Sequence, residues 1–329
     1  MNFKLENSYI LDSFIIGGPL EGKGPISGYI DYISSFKDNS FESIEIDSLI
    51  SCIDHLLEKT NTEPKDIDLA ISGELSNQIA TSNYTYRTLL IPFIGIYSAC
   101  SSIALGLGLA SLLLDNPSVN KILVTTSSNT ESAEREFRNP NEYGGDKFDT
   151  QTFTSTIAAS ALLVIEKTNI KLSSFTLGKV IDIGFTDAND FGRAMAPAAL
   201  ETLFEHFRET NTEPKDYDLI LTGDLSSFGY ELVLKSLNEH FGNVTNYKDC
   251  GLILYDVKSQ NVFAGGSGPG TSAAVLLGYI KKRIEKGELN KVLLCATGAL
   301  LSPTMVLQKN SIPCIAHIIV MEGNKWHFY

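Results

Sequence analysis

The chain predicts an α/β fold built from two similar halves and stacked as a five-layer αβαβα sandwich. Three observations carry this. The phrase Thr60-Asn61-Thr62-Glu63-Pro64-Lys65-Asp66 returns 150 residues on as Thr210-Asn211-Thr212-Glu213-Pro214-Lys215-Asp216. The stretch Val119-Asn120-Lys121-Ile122-Leu123-Val124 is echoed by Leu289-Asn290-Lys291-Val292-Leu293-Leu294 at an offset of 170. Apolar segments of strand length alternate with segments of helical periodicity in both halves. The repeat distance is far too long for a solenoid. The difference between the two offsets implies roughly twenty extra residues in the second half, as a loop insertion would supply. The halves are placed at 1–170 and 171–329.

The first half opens on the Gly/Pro-rich run Gly17 to Pro25. Ile46, Leu49, Ile50, Ile53, Leu56 and Leu57 then recur at helical spacing. The repeated phrase and a strand at Leu69–Ser72 follow, ending in the Gly-acid turn Gly73-Glu74. A strand over Ile94–Tyr97 runs into Ser98-Ala99-Cys100-Ser101-Ser102, and an apolar helix covers Ile103 to Leu114. Lys121–Thr126 and Ala161–Ile165 read as buried strands. The second half replays this order. Its helix carries Ala199, Leu200, Leu203, Phe204 and Phe207, with Pro197 expected near the first turn. Strand Leu219–Thr222 ends in Gly223-Asp224. Gly265 to Ser272 opens an apolar helix through Ala273–Ile280, which sets Gly270 as the counterpart of Cys100. The pattern argues for mostly parallel buried strands.

A net charge of −13 disfavours nucleic acid and anionic membrane surfaces as direct partners. The longest apolar stretch, Ala104 to Leu114, is well short of the ~20 residues a spanning helix needs, and no signal peptide stands out. Five cysteines at irregular spacing make neither a disulfide framework nor a metal site, so reducing surroundings are expected.

Cys100 is the best chemical candidate. It falls where a buried strand gives way to a buried helix, where free N–H groups and the helix dipole favour negative charge. A thiol there is expected to be more acidic than usual; the same N–H groups could instead hold a carboxylate. Cys52, Cys250, Cys295 and Cys314 read as small buried residues. His55 and His206 are expected to be solvated on amphipathic helices, His240 to sit in a polar loop and His327 in the tail. His317, entering an apolar strand over Ile315 to Met321, is placed near the pocket.

A duplicated α/β chain with Ala99-Cys100-Ser101-Ser102 at this turn resembles the thiolase superfamily, which includes the ketoacyl synthases. There the cysteine carries an acyl group, and a His with a second His or Asn generates and stabilises a carbanion. At the matching turns this chain reads Gly223 to Tyr230, without His, and Gly268 to Ser272, without Asn. Longer phrases narrow the resemblance. Gly17 to Gly22, Ser76 to Ile79, Gly95 to Ser101, Ala133 to Arg138, Glu142 to Gly145, Gly178 to Asp182, Ala194 to Ala199 and Ala296 to Met305 are similar to the stage V sporulation protein AD family.

That resemblance implies a thiolase-like fold without condensing activity. It implies binding of dipicolinic acid (pyridine-2,6-dicarboxylate), free or as its Ca²⁺ chelate and with no other cofactor, for uptake into the developing spore and release at germination. It implies a soluble protein held at the spore inner membrane by membrane-embedded SpoVA-type partners. Pairing as a homodimer through the first-half sheets is expected by analogy. Carried over residue by residue, Glu74 stands where the family has Asp, one methylene further out, and Cys100 and Ser101 match directly. Asn77 belongs to a shared phrase and joins the implied ligand set. The family's Gly-His is Gly229-Tyr230 here, and its cysteine-rich turn has Pro269 and Thr271.

A flat dianion needs donors on its rim and apolar walls on its faces. Ser101 and Ser102 are expected to donate, Arg138 to clamp a carboxylate, and Phe137 and Tyr97 to wall the ring. Arg135, Arg87 and Arg193 are weaker candidates. Gly268 and Gly298 would let backbone approach the ligand, and His317 completes the set. Glu74 is expected either to hydrogen-bond a protonated group or to help hold Ca²⁺. The competing reading is an active condensing enzyme using Cys100 with His317.

Overall fold

The computed structural model describes residues 1–35, 40–137 and 147–323. Among the described residues, five strands of each half follow the same order, and two short strands, Asn2–Lys4 and Tyr32–Ile33, add to the edges of this path. In the first half the five are β1 (Tyr9–Gly17), β2 (Leu69–Ser72), β3 (Phe93–Gly95), β4 (Lys121–Ser128) and β5 (Ile157–Val164), arranged β3-β2-β4-β5-β1. In the second half they are β6 (Ile170–Thr176), β7 (Leu219–Thr222), β8 (Tyr247–Asp249), β9 (Lys291–Ala299) and β10 (Cys314–Gly323), arranged β8-β7-β9-β10-β6. A single antiparallel pair, Tyr9 with Lys171, joins the two sheets edge to edge.

The sheets are mixed rather than mostly parallel. β2 runs parallel to β3 and β4, while β5 is antiparallel to both β4 and β1. The second half repeats this pattern. The last long strand of each half returns against its neighbours, which hydrophobic runs alone do not reveal because a strand buried on both faces reads the same in either direction.

Three apolar clusters define the layers. Ile71, Ile122 and Val124 of the first sheet and Leu221, Val292 and Leu294 of the second all face a central layer. That layer holds helix α3 (Ser102–Leu113) and the helical run Pro269–Glu285. Alternate residues point outward. Ala70 and Leu123 meet α1 (Phe41–Thr60), with α2 (Ala80–Leu89) alongside. Ile220 and Leu293 meet α5 (Phe191–Thr210) and α6 (Ser226–Phe241). Strand period two thus sorts one set of side chains into the middle and the other into an outer helical layer.

The repeated phrase has a structural reason. α1 and α5 are both 20 residues long, and each ends on an asparagine in the left-handed region, Asn61 at φ 48° and Asn211 at φ 53°, a conformation asparagine tolerates. Glu63 with Asp66, and Glu213 with Asp216, then form reciprocal capping boxes around a Pro-initiated turn. Pro197 lies inside α5, beyond its first turn, because the helix starts earlier, at Phe191, capped by Asp190. His240 lies on α6, which runs on to Phe241, and not in a loop. Among the described residues no helix is long and apolar enough to cross a membrane.

Candidate functional site

The chain leaves β3, passes Tyr97 and Ser98, and makes one tight turn over Ala99–Ser101 before α3 begins. Ala99 adopts φ 45°, an uncommon conformation for a non-glycine residue that stores strain. The serines brace it. Ser101 Oγ lies 2.6 Å from both the carbonyl oxygen and Oγ of Ser98, and Ser102 Oγ donates to the Ala99 carbonyl at 2.7 Å. Both hydroxyls are buried and serve the turn.

Behind the turn is His317, also buried. Its Nδ1 accepts the Gly178 N–H at 3.2 Å, which leaves the ring proton on Nε2, 3.0 Å from Ser98 Oγ. Burial pushes this imidazole down to about 4. Gly298 packs against the same turn: a Cβ there would stand 2.5 Å from the Ser98 carbonyl oxygen. Its lack of a side chain is used by the turn itself.

Cys100 is the half-exposed cysteine among the five. It lines a small space with Leu75, Tyr97, Phe137, Met195 and Ser267. Beneath that floor lies Asp224, 1% exposed. Asp224 Oδ1 accepts from Thr297 Oγ1 at 2.7 Å, and Oδ2 accepts from Ser267 Oγ at 2.8 Å and the Gly268 N–H at 3.2 Å. Cys100 Sγ is 3.9 Å from Ser267 Oγ. The expectation of an acidic thiol is overturned. Burial first, then the Asp224 carboxylate, hold the Cys100 thiol well above its ordinary value. The helix end does not compensate, because the Ser101 and Ser102 N–H groups are already spent on Ser98 and Ala99.

Glu74 turns the other way. Its carboxylate accepts from the Ser76 N–H, from Ser76 Oγ at 2.7 Å and from the Ser82 N–H at 3.3 Å, capping α2. Burial, with the Glu136 charge adding to it, raises Glu74 to about 7. Glu45 on α1 is raised to about 8 by burial and by Glu74, although Ser127 and Ser132 donate to it at 2.8 and 3.0 Å. Glu136, on α4 (Thr130–Phe137), accepts the Asn77 N–H at 3.1 Å. Asn77 lines an outer cleft of about 550 Å³ with Gln78, Ile96 and Leu300, while the space at Cys100 amounts to about 30 Å³, room for about two waters. Tyr97, Phe137 and Leu301 line both.

The structure therefore gathers Cys100, Gly268 and the unforeseen Asp224 and Ser267 at one floor, with Ser101, Gly298 and His317 behind it. Glu74 lies off to the side, and Arg138 lies outside the described residues. Arg135 pairs with Glu42 and Arg193 with Asp190, while Arg87 lies over the Tyr84 ring. His206 is fully buried rather than solvated. Thr176 Oγ1 and the Tyr217 hydroxyl hold its ring nitrogens at 2.7 and 2.8 Å, and burial pushes it down to about 4. Asp224 had one signal in the sequence, its place in the second Gly-acid turn; Ser267 had none. Among the described residues no three His, Cys, Asp or Glu side chains are grouped to hold a metal ion.

A duplicated five-layer sandwich with a cysteine on the turn into its central helix defines a thiolase-like protein. Solved structures share the fold. Cerulenin-bound OleA from Xanthomonas campestris matches with a TM-score of 0.64 at 13% identity, over 97% of this chain and 98% of that one. The 3-oxoacyl-[acyl-carrier-protein] synthase III of Aquifex aeolicus VF5 matches at 0.57 and 10% identity, over 96% and 99%. Within that class the sequence fits the profile of stage V sporulation protein AD (SpoVAD) over residues 1–322. It is 45% identical over 311 residues to stage V sporulation protein AD of Bacillus subtilis (strain 168), covering 93% of this chain and 91% of that protein. The chain belongs to the SpoVAD family.

Proposed function

We propose that this sporulation protein binds dipicolinic acid, free or as its Ca²⁺ chelate, and performs no condensation. The observation that carries the reading is the set of groups around Cys100. A thiol kept protonated is a poor acyl acceptor, since the thiolate is the nucleophile, and no histidine is among the described residues lining its space. What remains is an apolar-walled pocket with a small polar floor, the character of a small-molecule site. The inner space alone is too small for a pyridine ring. The ring would therefore lie between Tyr97 and Phe137 in the outer cleft and reach the floor with one carboxylate.

The protein would work in dipicolinate uptake during sporulation and its release at germination, at the spore inner membrane beside membrane-embedded SpoVA-type partners. β3 forms the outer edge of the first-half sheet, with Ile94 41% exposed, which suits pairing of two copies there. The test is calorimetric titration of dipicolinate with and without Ca²⁺, run beside incubation with acetyl- and malonyl-CoA and mass spectrometry of Cys100. Saturable dipicolinate binding without acylation is expected. Acyl-Cys100 formed with turnover, and no dipicolinate signal, would establish the condensing enzyme instead.

A further inference from the structure

Cys100 and Ser267 form the floor of the inner space, and Asp224 stands behind both. The hydrogen bonds to the Asp224 carboxylate come from neutral groups, Thr297, Ser267 and the Gly268 N–H. The titratable groups that feel it are Cys100 from the turn, Asp249 at the end of β8, Cys250 on the short helix after it, and Cys314 on β10. None of these is a cation. Burial without a counter-charge raises the Asp224 carboxyl above its ordinary value.

A hydroxyl has one proton to give. While Asp224 is ionised, Ser267 commits that proton to Oδ2 and turns only lone pairs toward the space. Once Asp224 takes a proton from solvent, its own O–H can donate to Ser267 Oγ, and the Ser267 proton is free to swing into the cavity. We propose that Asp224 is the positioning residue that sets the hydrogen-bond polarity of this floor. As a carboxylate it makes the floor an acceptor and keeps Cys100 a thiol; as a carboxylic acid it makes Ser267 a donor facing the cavity. Applied to dipicolinate, and resting there on the reading above, this means that a ligand carboxylate reaches the floor only as Asp224 takes up one proton.

Two measurements on the full chain test this. The first needs no ligand. The rate of Cys100 alkylation by iodoacetamide is followed by mass spectrometry from about pH 6 to pH 10 in wild type, Asp224→Asn and Ser267→Ala; the other four cysteines are buried. Asparagine keeps the shape and removes the charge, so alkylation should speed up about tenfold or more near neutral pH, the thiolate fraction changing tenfold for each pH unit the thiol falls. Ser267→Ala retains the carboxylate and should stay slow. The second is calorimetry of dipicolinate in two buffers of different ionisation enthalpy. Wild type should take up about one proton per ligand, and both variants none, with affinity no longer falling as pH rises. Coincident alkylation profiles for wild type and a folded Asp224→Asn would overturn the inference. If that variant does not fold, an unchanged proton uptake in Ser267→Ala does the same. Faster alkylation in Asp224→Asn with no dipicolinate binding in any protein would uphold the role of Asp224 and remove the ligand.

Discussion

Replacing Glu45 by glutamine should make the protein more stable in alkali. The unfolded chain ionises this carboxyl at its ordinary 4.5, whereas the fold holds its proton to about 8 because the group is buried beside Glu74. The native state therefore binds more protons than the unfolded state across that interval, and stability falls as pH rises, by up to ~1.4 kcal/mol per pH unit. The contribution is fully present below about 4.5 and gone above about 8. The gap between those values caps the loss at ~5 kcal/mol. Glutamine cannot ionise. Near pH 5 the native carboxyl is neutral and already has one O–H to give; the amide of glutamine brings a second donor N–H beside Ser127 and Ser132, at a cost of ~1 kcal/mol. Urea denaturation at several pH values measures this. Glu45→Gln should start slightly less stable than wild type at about pH 5 and become more stable by a few kcal/mol at about pH 9. Parallel stability–pH curves for the two proteins would refute the reasoning, since general acidic repulsion acts on both alike.

Three further outcomes are expected. His206 is buried as the neutral ring, pushed down to about 4 from 6.5, so its contribution is fully present above about 6.5 and lost as pH falls toward 4; His206→Gln should remove up to ~3 kcal/mol of acid destabilisation in the same denaturation assay. Gly298→Ala would drive a methyl into the Ser98 carbonyl and should cost ~1–3 kcal/mol, read as a lower Tm by scanning calorimetry. Phe137→Ala joins the inner space to the outer cleft and removes one wall of the proposed ring site; dipicolinate affinity should fall by about fivefold or more in titration calorimetry, the loss of a stacking aromatic being worth ~1 kcal/mol or more.

Much of the scaffold was written locally. The Thr-Asn-Thr-Glu-Pro-Lys-Asp phrase encodes a helix stop, a capping box and the entry to a strand, all within reach of a few residues, and both copies fold alike. β2 and β7 are short apolar runs closed by a Gly-acid turn, and their bounds match the expected ones. The site was less legible because its bonds are long in sequence. Asp224 meets Ser267 across 43 residues and Thr297 across 73, and no spacing rule links such partners. The thiol of Cys100 looked acid-prone from its turn alone; burial, and then a carboxylate that arrives from the other half, reverse the effect. His206 looked solvated because its helix is amphipathic, and only the packing of α5 against β6 and Tyr217 buries it.

The duplicated turn explains why one acid supports the floor of the cavity and its counterpart does not. Glu74 and Asp224 stand 150 residues apart, at matching ends of β2 and β7. Each is followed by a helix whose first N–H groups need an acceptor. In the second half that acceptor is Asp249, which takes the Leu225 and Ser226 N–H groups at 2.9 and 3.0 Å. Asp249 pairs with Thr222 in the sheet; the residue in the same register beside Ser72 is Gly95. Glycine offers no acceptor side chain, and a Cβ there would lie 2.2 Å from Ile79 Cδ1, so a side chain in its place requires Ile79 to shift. With no side-chain acceptor at Gly95, the first half caps α2 with Glu74, whose extra methylene lets the carboxylate fold back onto Ser76 and Ser82. With α6 capped by Asp249, Asp224 is released from that duty and turns to Thr297, Ser267 and the floor beneath Cys100. An Asp249→Asn change should disturb Cys100 for this reason. It weakens the α6 cap and lifts a neighbouring negative charge from Asp224, so iodoacetamide should modify Cys100 at a different rate although residue 249 is not among those lining the cavity; an unchanged rate in a folded variant would sever the link between cap and floor.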